Sequence, residues 1–280
     1  MIRLLLSISM VSAAWLCIPG LSHGANANWR NRISAEETAY TASDIAAEIK
    51  FGRAIAARIL GRYKAYDNPA LIKYVNLVGA SLALSTNRPE LDFHLMILDT
   101  DELNAYAAPG GYIFITKGAL KYMKDEAELA GVLAHEVAHI TERHVVKELK
   151  IKGTDEAGAA ELARIIGGSS ESARAAFGQA VDKGLELIFK DGYKREDEIQ
   201  ADKTSVTIST LSGYDPTGLS RYLARIKPLK EKIPPPSDST HPSFDARALQ
   251  ISDVINQDGI NYSTLAKNNT RFAEAMQSFK

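Results

Sequence analysis

The chain has almost no cysteine, and this limits how its fold can be held together. Cys17 is the single thiol among 280 residues, so no disulfide can form within the chain. Stability must therefore come from a packed core and from polar contacts. Leu16 precedes the cysteine where a lipid-anchor sequence would have a small residue, which argues against lipidation of Cys17.

The chain also lacks an excess of charge of either sign. Lys and Arg total 33, Asp and Glu total 34, and no basic run interrupts the sequence. Proteins bind nucleic acids largely through clustered basic residues. The composition therefore predicts that nucleic acid is not a partner.

Long apolar runs are missing after the first 27 residues, since none approaches the roughly 18 to 20 residues that span a bilayer. The N-terminus differs: Arg3 is followed by an apolar stretch over residues 4–21 and by Ala25-Asn26-Ala27, a small-x-small cleavage site. This pattern predicts a secretory signal peptide over 1–27 and an exported, periplasmic protein of the cell envelope. The alternative is an uncleaved N-terminal membrane anchor. Residues 28–280 show no repeat or linker, so we expect one domain there.

His135, Glu136 and His139 form an HExxH pattern within residues 125–148, a segment rich in helix formers. On a helix, residues four apart share a face, so the two imidazoles can converge on one metal ion. Glu136 can then act as general base toward a water. The alternative is a pair of satisfied core histidines, but an ionised carboxylate in so apolar a segment is costly unless a metal compensates it.

A catalytic zinc site usually takes three protein ligands, so a third must come from elsewhere. The candidate is Glu198, in a run with helical character over residues 195–208. Asp202 shares its face and can accept a hydrogen bond from a histidine ligand. The alternative is an acidic cluster on a solvated helix face. A His2Glu set suits one Zn²⁺ per chain, although other divalent ions compete for such ligands.

Residues 93–98 and 112–116 are β-branched and aromatic enough for strands, and Pro109-Gly110-Gly111 between them is a turn signal. Residues 104–108 then form an extended segment beside the sheet. Its small side chains allow a peptide substrate to pair by strand addition. The predicted substrate-binding residues are Asn104, Ala105, Tyr106 and Ala107. The alternative is an inner strand or hairpin without a functional role.

The remaining pattern is mainly helical. Residues 35–63 and 68–85 are predicted helices, and the glycine-interrupted segment 151–190 predicts two helices joined by a mobile turn. That segment is either a lid over the cleft or a surface helical hairpin. His94, in a strand, and His144, late in the predicted HExxH helix, are not needed to complete a metal site.

Four blocks in order resemble the gluzincin metallopeptidases of the HtpX and CAAX prenyl protease type, including their soluble periplasmic BepA-like members. The blocks are His135-Glu136-x-x-His139, Glu198-x-x-Ala201-Asp202, residues 104–116, and Ser239-Thr240-His241-Pro242-Ser243 with Arg247 beyond. They span roughly residues 92–247. The resemblance implies a mainly helical α+β zincin fold, with a small mixed sheet whose edge strand lies beside the HExxH helix.

The resemblance also implies roles for these residues. Zinc would be bound by His135, His139 and Glu198, with Glu136 as general base and Asp202 supporting a histidine ligand, His135 above all. His241 follows a proline-rich loop, where a histidine is ordinarily a surface residue. The family places this His-Pro near the zinc, as a displaceable fourth ligand or an oxyanion donor. Arg247 would bind a carboxylate or oxyanion in that pocket.

The implied function is a zinc-dependent endopeptidase acting on misfolded or misassembled envelope proteins. Its partners would be polypeptide substrates, and peripheral association with the membrane or with outer-membrane assembly proteins stays open. The alternative is an envelope chaperone or assembly factor that uses the same cleft with little turnover. Glu136 favours hydrolysis, because pure binding has no use for a base beside the metal. A purely structural zinc site is disfavoured by its open coordination position.

Overall fold

The described part of the chain comprises residues 27–34, 40–153, 171–230 and 242–279 of a computed structural model. Two sequence predictions fall wholly or almost wholly on other residues. The proposed signal peptide, except for its last residue, and His241 with the proline-rich loop before it lie outside the described ranges.

A three-stranded mixed sheet confirms the strand predictions. The strands are β1 (His94–Leu98), β2 (Ala105–Ala108) and β3 (Tyr112–Thr116), in the order β1-β3-β2. β1 runs parallel to β3, and β2 runs antiparallel to it. Gly110 and Gly111 make the β2–β3 turn with φ of 75° and 95°, a region that favours glycine. β2 therefore lies at one edge of this sheet.

Helices make up most of the described chain, as the α+β prediction requires. The α-helices are α1 (Ala42–Arg62), α2 (Pro69–Ala83), α3 (Lys117–Lys121), α4 (Glu126–Thr141), α5 (His144–Glu148), α6 (Glu171–Glu186), α7 (Arg195–Leu211), α8 (Gly218–Lys230), α9 (Phe244–Gln257) and α10 (Asn269–Met276). A 3₁₀ helix spans Ala27–Ser34, and a π-helical turn spans Leu187–Asp191. None of the helices within the described residues is both long and apolar enough to cross a membrane.

Local signals account for where several helices begin. Thr41 and Asp44 form a reciprocal capping box at α1. Asn68 caps α2, which has Pro69 in its first turn. Asp125 accepts a hydrogen bond from the backbone of Glu128 and so caps α4.

Helix α4 lies at the centre of the fold. Every residue from Glu126 to Thr141 is buried, and the helix packs against α2, α7, α8 and β2. Gly131 explains one close approach: a Cβ there would lie 2.5 Å from the backbone nitrogen of Leu219 at the start of α8. The absence of a side chain at this position lets α8 seat directly on α4.

The sheet separates two apolar cores, as the period-two pattern of β3 requires. Ile113 and Ile115 face the larger core, which α2, α4, α7, α8 and α9 complete. Phe114 faces the smaller core, where it meets side chains of α1 and α6. α4 is therefore held on one side of the sheet while α1 and α6 cover the other.

The prediction of one helix over residues 125–148 was wrong at its C-terminal end. α4 ends at Thr141, and Arg143 adopts a left-handed backbone with φ of 58° before α5 begins. Long-range contacts explain this break. Arg88 donates to the carbonyl of Ile140 at 2.9 Å, and Arg143 lies 3.2 Å from the carboxylate of Glu48. The carbonyl of Ile140, in the last turn of α4, thus has a partner outside the helix.

The predicted helical pair over residues 151–190 is described only in its second half. α6 and the π-helical turn account for residues 171–191, and residues 154–170 lie outside the described ranges. α6 packs against α1, and the π-helical turn packs against β2.

Candidate metal centre

Two histidines of α4 face each other one turn apart. The Nε2 atoms of His135 and His139 are 3.1 Å apart, and the rings meet edge to face at an angle of 85°. Both side chains are buried. The i, i+4 spacing on a helix produces this convergence.

Glu198 brings a third donor to the same point from α7, which packs along α4. Its Oε2 lies 3.6 Å from Nε2 of His135, and its Oε1 lies 3.6 Å from Nε2 of His139. The Glu198 side chain is 1% exposed. The structure therefore brings together the three ligands that the sequence predicted.

The spacing of these three donors fits zinc. Zinc–ligand bonds of about 2.0–2.2 Å in a tetrahedron place neighbouring ligand atoms about 3.3–3.6 Å apart. The two Nε2 atoms are 3.1 Å apart, slightly less than this range, and each lies 3.6 Å from a different oxygen of Glu198. Two imidazoles and one carboxylate are also the ligand types and number of a catalytic zinc site.

His135 has a carboxylate partner at its other ring nitrogen. Oδ1 of Asp202, one turn after Glu198, lies 3.0 Å from Nδ1 of His135. Arg247 of α9 donates two hydrogen bonds to the same carboxylate, from Nε to Oδ2 at 2.9 Å and from Nη2 to Oδ1 at 2.7 Å. Such a bidentate pair restricts the carboxylate to one orientation. Arg247 thus binds a carboxylate of the protein itself, and its predicted role toward a substrate stays a prediction.

The charges around Asp202, His135 and His139 determine which of these side chains carry a proton. Burial would raise the pKa of Asp202, but Arg247 and His135 outweigh it and hold that pKa low. Burial and Arg247 oppose protonation of His135, yet hydrogen bonds with Asp202 and Glu198 raise its pKa to about 9. Burial and the neighbouring His135 lower the pKa of His139 well below its usual value. A cation that binds His135 near neutral pH must therefore displace a proton.

His139 also has a partner at its outer nitrogen, and the sequence did not identify it. Nδ1 of His144 lies 2.8 Å from Nδ1 of His139. Burial lowers the pKa of His144 to about 4, so the ring is neutral at physiological pH. The prediction that placed His144 late in a continuous helix was wrong, because His144 begins α5; that His144 is not needed as a metal ligand stays a prediction.

Glu136 and Tyr193 lie beside the two histidines. Glu136 follows His135 on α4 and is 8% exposed. The ring of Tyr193 stacks on His139 with centroids 3.9 Å apart and planes 20° apart. Burial, and then the charges of Glu136 and Glu198, raise the pKa of Tyr193 well above its usual value. Tyr193 is therefore a neutral phenol, able to donate a hydrogen bond. No local pattern in the sequence points to it.

The outer edge of β2 is directed toward this site. The amide of Thr116 donates to the carbonyl of Asn104 at 3.1 Å, and the amide of Asn104 donates to the Thr116 hydroxyl at 3.2 Å, so the backbone groups of Asn104 face β3 in the position of a hydrogen-bonded pair. In an antiparallel ladder such pairs alternate with non-bonded ones, which turns the backbone groups of Ala105 and Ala107 away from β3. The Tyr193 hydroxyl donates to the carbonyl of Ala107 at 3.4 Å. The neighbouring Tyr106 packs against Phe189 of the π-helical turn, with ring centroids 4.5 Å apart.

Fold and site together define a class of protein. A mainly helical α+β domain with a small mixed sheet beside an HExxH helix, and a glutamate approaching from a following helix, is that of zincin-like metallopeptidases. The chain belongs to peptidase family M48, whose family model matches residues 69–255. Metallopeptidases of this family are zinc-dependent in general.

Several characterised relatives have names that agree with this assignment. The beta-barrel assembly-enhancing protease of Escherichia coli (strain K12) is 27% identical over 221 residues, which cover 76% of this chain and 45% of that protein. The metalloprotease YcaL of the same organism is 25% identical over 256 residues, covering 90% of this chain and 97% of YcaL. The metalloendopeptidase OMA1 of Bos taurus mitochondria is 26% identical over 175 residues, covering 60% of this chain and 33% of OMA1. The chain thus spans less than half the length of the first of these relatives.

Proposed function

We propose that this chain is a zinc-dependent endopeptidase of the cell envelope that hydrolyses misfolded or misassembled envelope proteins. The observation that carries the proposal is the convergence of His135, His139 and Glu198 on one buried point. The predicted leader and the name of the β-barrel assembly-enhancing relative support the envelope setting. A single peptidase domain over residues 28–280 is supported by α1 and α10, which lie outside residues 69–255 but pack against elements within that range.

The chemistry follows from the donor set and its neighbours. His135, His139 and Glu198 would hold the zinc ion, which would supply the Lewis acidity for activating water and polarising a scissile carbonyl. Glu136 accepts the proton of the attacking water as the oxygen bonds to the carbonyl carbon. It then delivers that proton to the amide nitrogen as the C–N bond breaks. Asp202, held by Arg247, keeps the His135 ring in one orientation during this sequence.

The test of this function is removal and return of the metal. A chelator is expected to abolish cleavage of a fluorescently labelled unfolded protein, and one equivalent of Zn²⁺ per chain to restore it. Mg²⁺ serves as the control ion, since it prefers oxygen ligands and should not restore activity at a His2Glu site. Cleavage that persists in protein shown by elemental analysis to hold no metal would refute the proposal.

We propose further that the substrate pairs with the outer edge of β2. The outward backbone groups of Ala105 and Ala107 offer two rungs of a ladder beside the catalytic helix. Asn104 precedes the first rung, and Tyr106 lies between the two. Tyr193 now donates to the carbonyl of Ala107, so a paired substrate amide must take the place of its hydroxyl.

Tyr193→Phe tests this competition, because it removes the hydroxyl and keeps the stacked ring. The substrate then no longer has to displace a hydrogen bond worth about 0.5–1.5 kcal/mol, so KM should fall about 2- to 10-fold while kcat changes little. Steady-state kinetics on a peptide substrate would measure both constants. Tyr262→Phe, at a tyrosine that is exposed, is the matched control and should leave them unchanged. A KM for Tyr193→Phe equal to or above that of the wild type would contradict the pairing.

A further inference from the structure

The ring of His139 is held from the side opposite its proposed metal-binding atom. Its Nε2 faces His135 and Glu198, while its Nδ1 lies 2.8 Å from Nδ1 of His144. His144 is 2% exposed, so water does not compete freely for this contact. His135 is held at its Nδ1 by Asp202, whereas His139 has a second imidazole in the equivalent place.

The break between α4 and α5 places His144 at this position. In a continuous helix, residue i+5 is rotated about 140° from residue i, so His144 would point away from His139. The left-handed conformation of Arg143 interrupts α4, and His144 becomes the first residue of α5. The contacts of Arg88 with Ile140 and of Arg143 with Glu48 hold this break in place.

The donors and acceptors form a chain with one direction. A neutral imidazole that binds metal through Nε2 carries its proton on Nδ1, so His139 donates and His144 must accept. His144 then has its proton on Nε2, which lies 3.5 Å from Oε1 of Gln200. The amide nitrogen of Gln200 donates to Oε2 of Glu142 at 2.6 Å, which turns its oxygen toward His144. Each acceptor in this chain therefore fixes the orientation of the side chain that donates to it.

We propose that His144 is a positioning residue, which holds the ring and the tautomer of His139 so that Nε2 is presented to the metal. The inference rests on the proposed zinc site and adds to it a neutral partner for one ligand, alongside the charged partner Asp202. Loss of a partner that orients a ligand typically lowers metal affinity about 10- to 100-fold.

The test compares His144→Leu with His144→Asn, because an Asn side chain can place an acceptor oxygen near the position of Nδ1. We expect His144→Leu to weaken Zn²⁺ binding about 10- to 100-fold in a chelator competition, and His144→Asn to stay within about threefold of the wild type. The visible absorption of the Co²⁺-substituted protein should change in His144→Leu and be largely restored in His144→Asn. His94→Asn, at an exposed histidine of β1, is the matched control.

Gln200→Met breaks the next link and keeps the experiment decisive if His144→Leu does not fold. We expect Gln200→Met to bind Zn²⁺ about two- to tenfold more weakly than the wild type. The unfolding temperature of the metal-free protein shows whether each variant folds. If folded His144→Leu kept the Zn²⁺ affinity and the Co²⁺ spectrum of the wild type, the role of His144 would be overturned but the proposed zinc site would not. Where His144→Leu does not fold, the same result in Gln200→Met would have the same consequence. Failure of the wild-type protein to bind Zn²⁺ would overturn the proposed function and this inference with it.

Discussion

Glu136→Gln is expected to reduce peptide hydrolysis by about a thousandfold while the protein keeps its metal. General base catalysis contributes about 10²–10⁴ to a rate, and the amide of Gln cannot accept the proton of the attacking water. The substitution preserves the size of a side chain that is only 8% exposed. It also leaves His135, His139 and Glu198 in place. The measurement is the initial rate of cleavage of a labelled unfolded protein, together with zinc content.

The control for this variant is Glu274→Gln, a change of the same kind at an exposed position in α10. It should cleave at the wild-type rate. Unchanged cleavage by a zinc-loaded Glu136→Gln protein would remove Glu136 from the mechanism. The same variant separates the enzyme from the chaperone alternative: suppression of aggregation that survives in Glu136→Gln, with no turnover in the wild type, would favour binding without hydrolysis.

The central part of the site could be predicted because short-range geometry governs it. His135 and His139 are four residues apart on a helix, and so are Glu198 and Asp202, so each pair had to share a face. The strands and the Pro109-Gly110-Gly111 turn followed from residue types that favour extended chain and left-handed turns. That α4 and α7 meet around one point could be predicted only from the family resemblance, because the spacing of residues within one helix contains no information about its neighbour.

His144 and the end of α4 could not be predicted in the same way. Glu142, Arg143 and His144 are compatible with helix, and nothing near them in sequence requires a break. The break depends on Arg88 and on Glu48, which lie 52 and 95 residues from their partners Ile140 and Arg143. Such contacts override local preference, and they leave no local pattern that would reveal them.

Tyr193 illustrates a second limit. It lies between the π-helical turn and α7, and its role becomes visible only when the outer edge of β2 and the ring of His139 are both in place. Two of its contacts reach residues more than 50 positions away. A tyrosine outside any periodic run is ordinarily assigned to packing, so composition alone could not have distinguished this one.

Replacing Glu198 by Ala is the other change with a large expected effect, because it removes a direct ligand. Loss of an outer partner alone costs about 10- to 100-fold in affinity, so loss of the ligand itself should exceed about a hundredfold and abolish cleavage with it. Glu196→Ala is the matched control: it lies on the same helix, two residues away, and its side chain is exposed. Chelator competition gives the affinities, and the unfolding temperature of the metal-free proteins shows whether both variants fold. If Glu198→Ala bound one Zn²⁺ per chain as tightly as Glu196→Ala, the third ligand would have to be sought elsewhere.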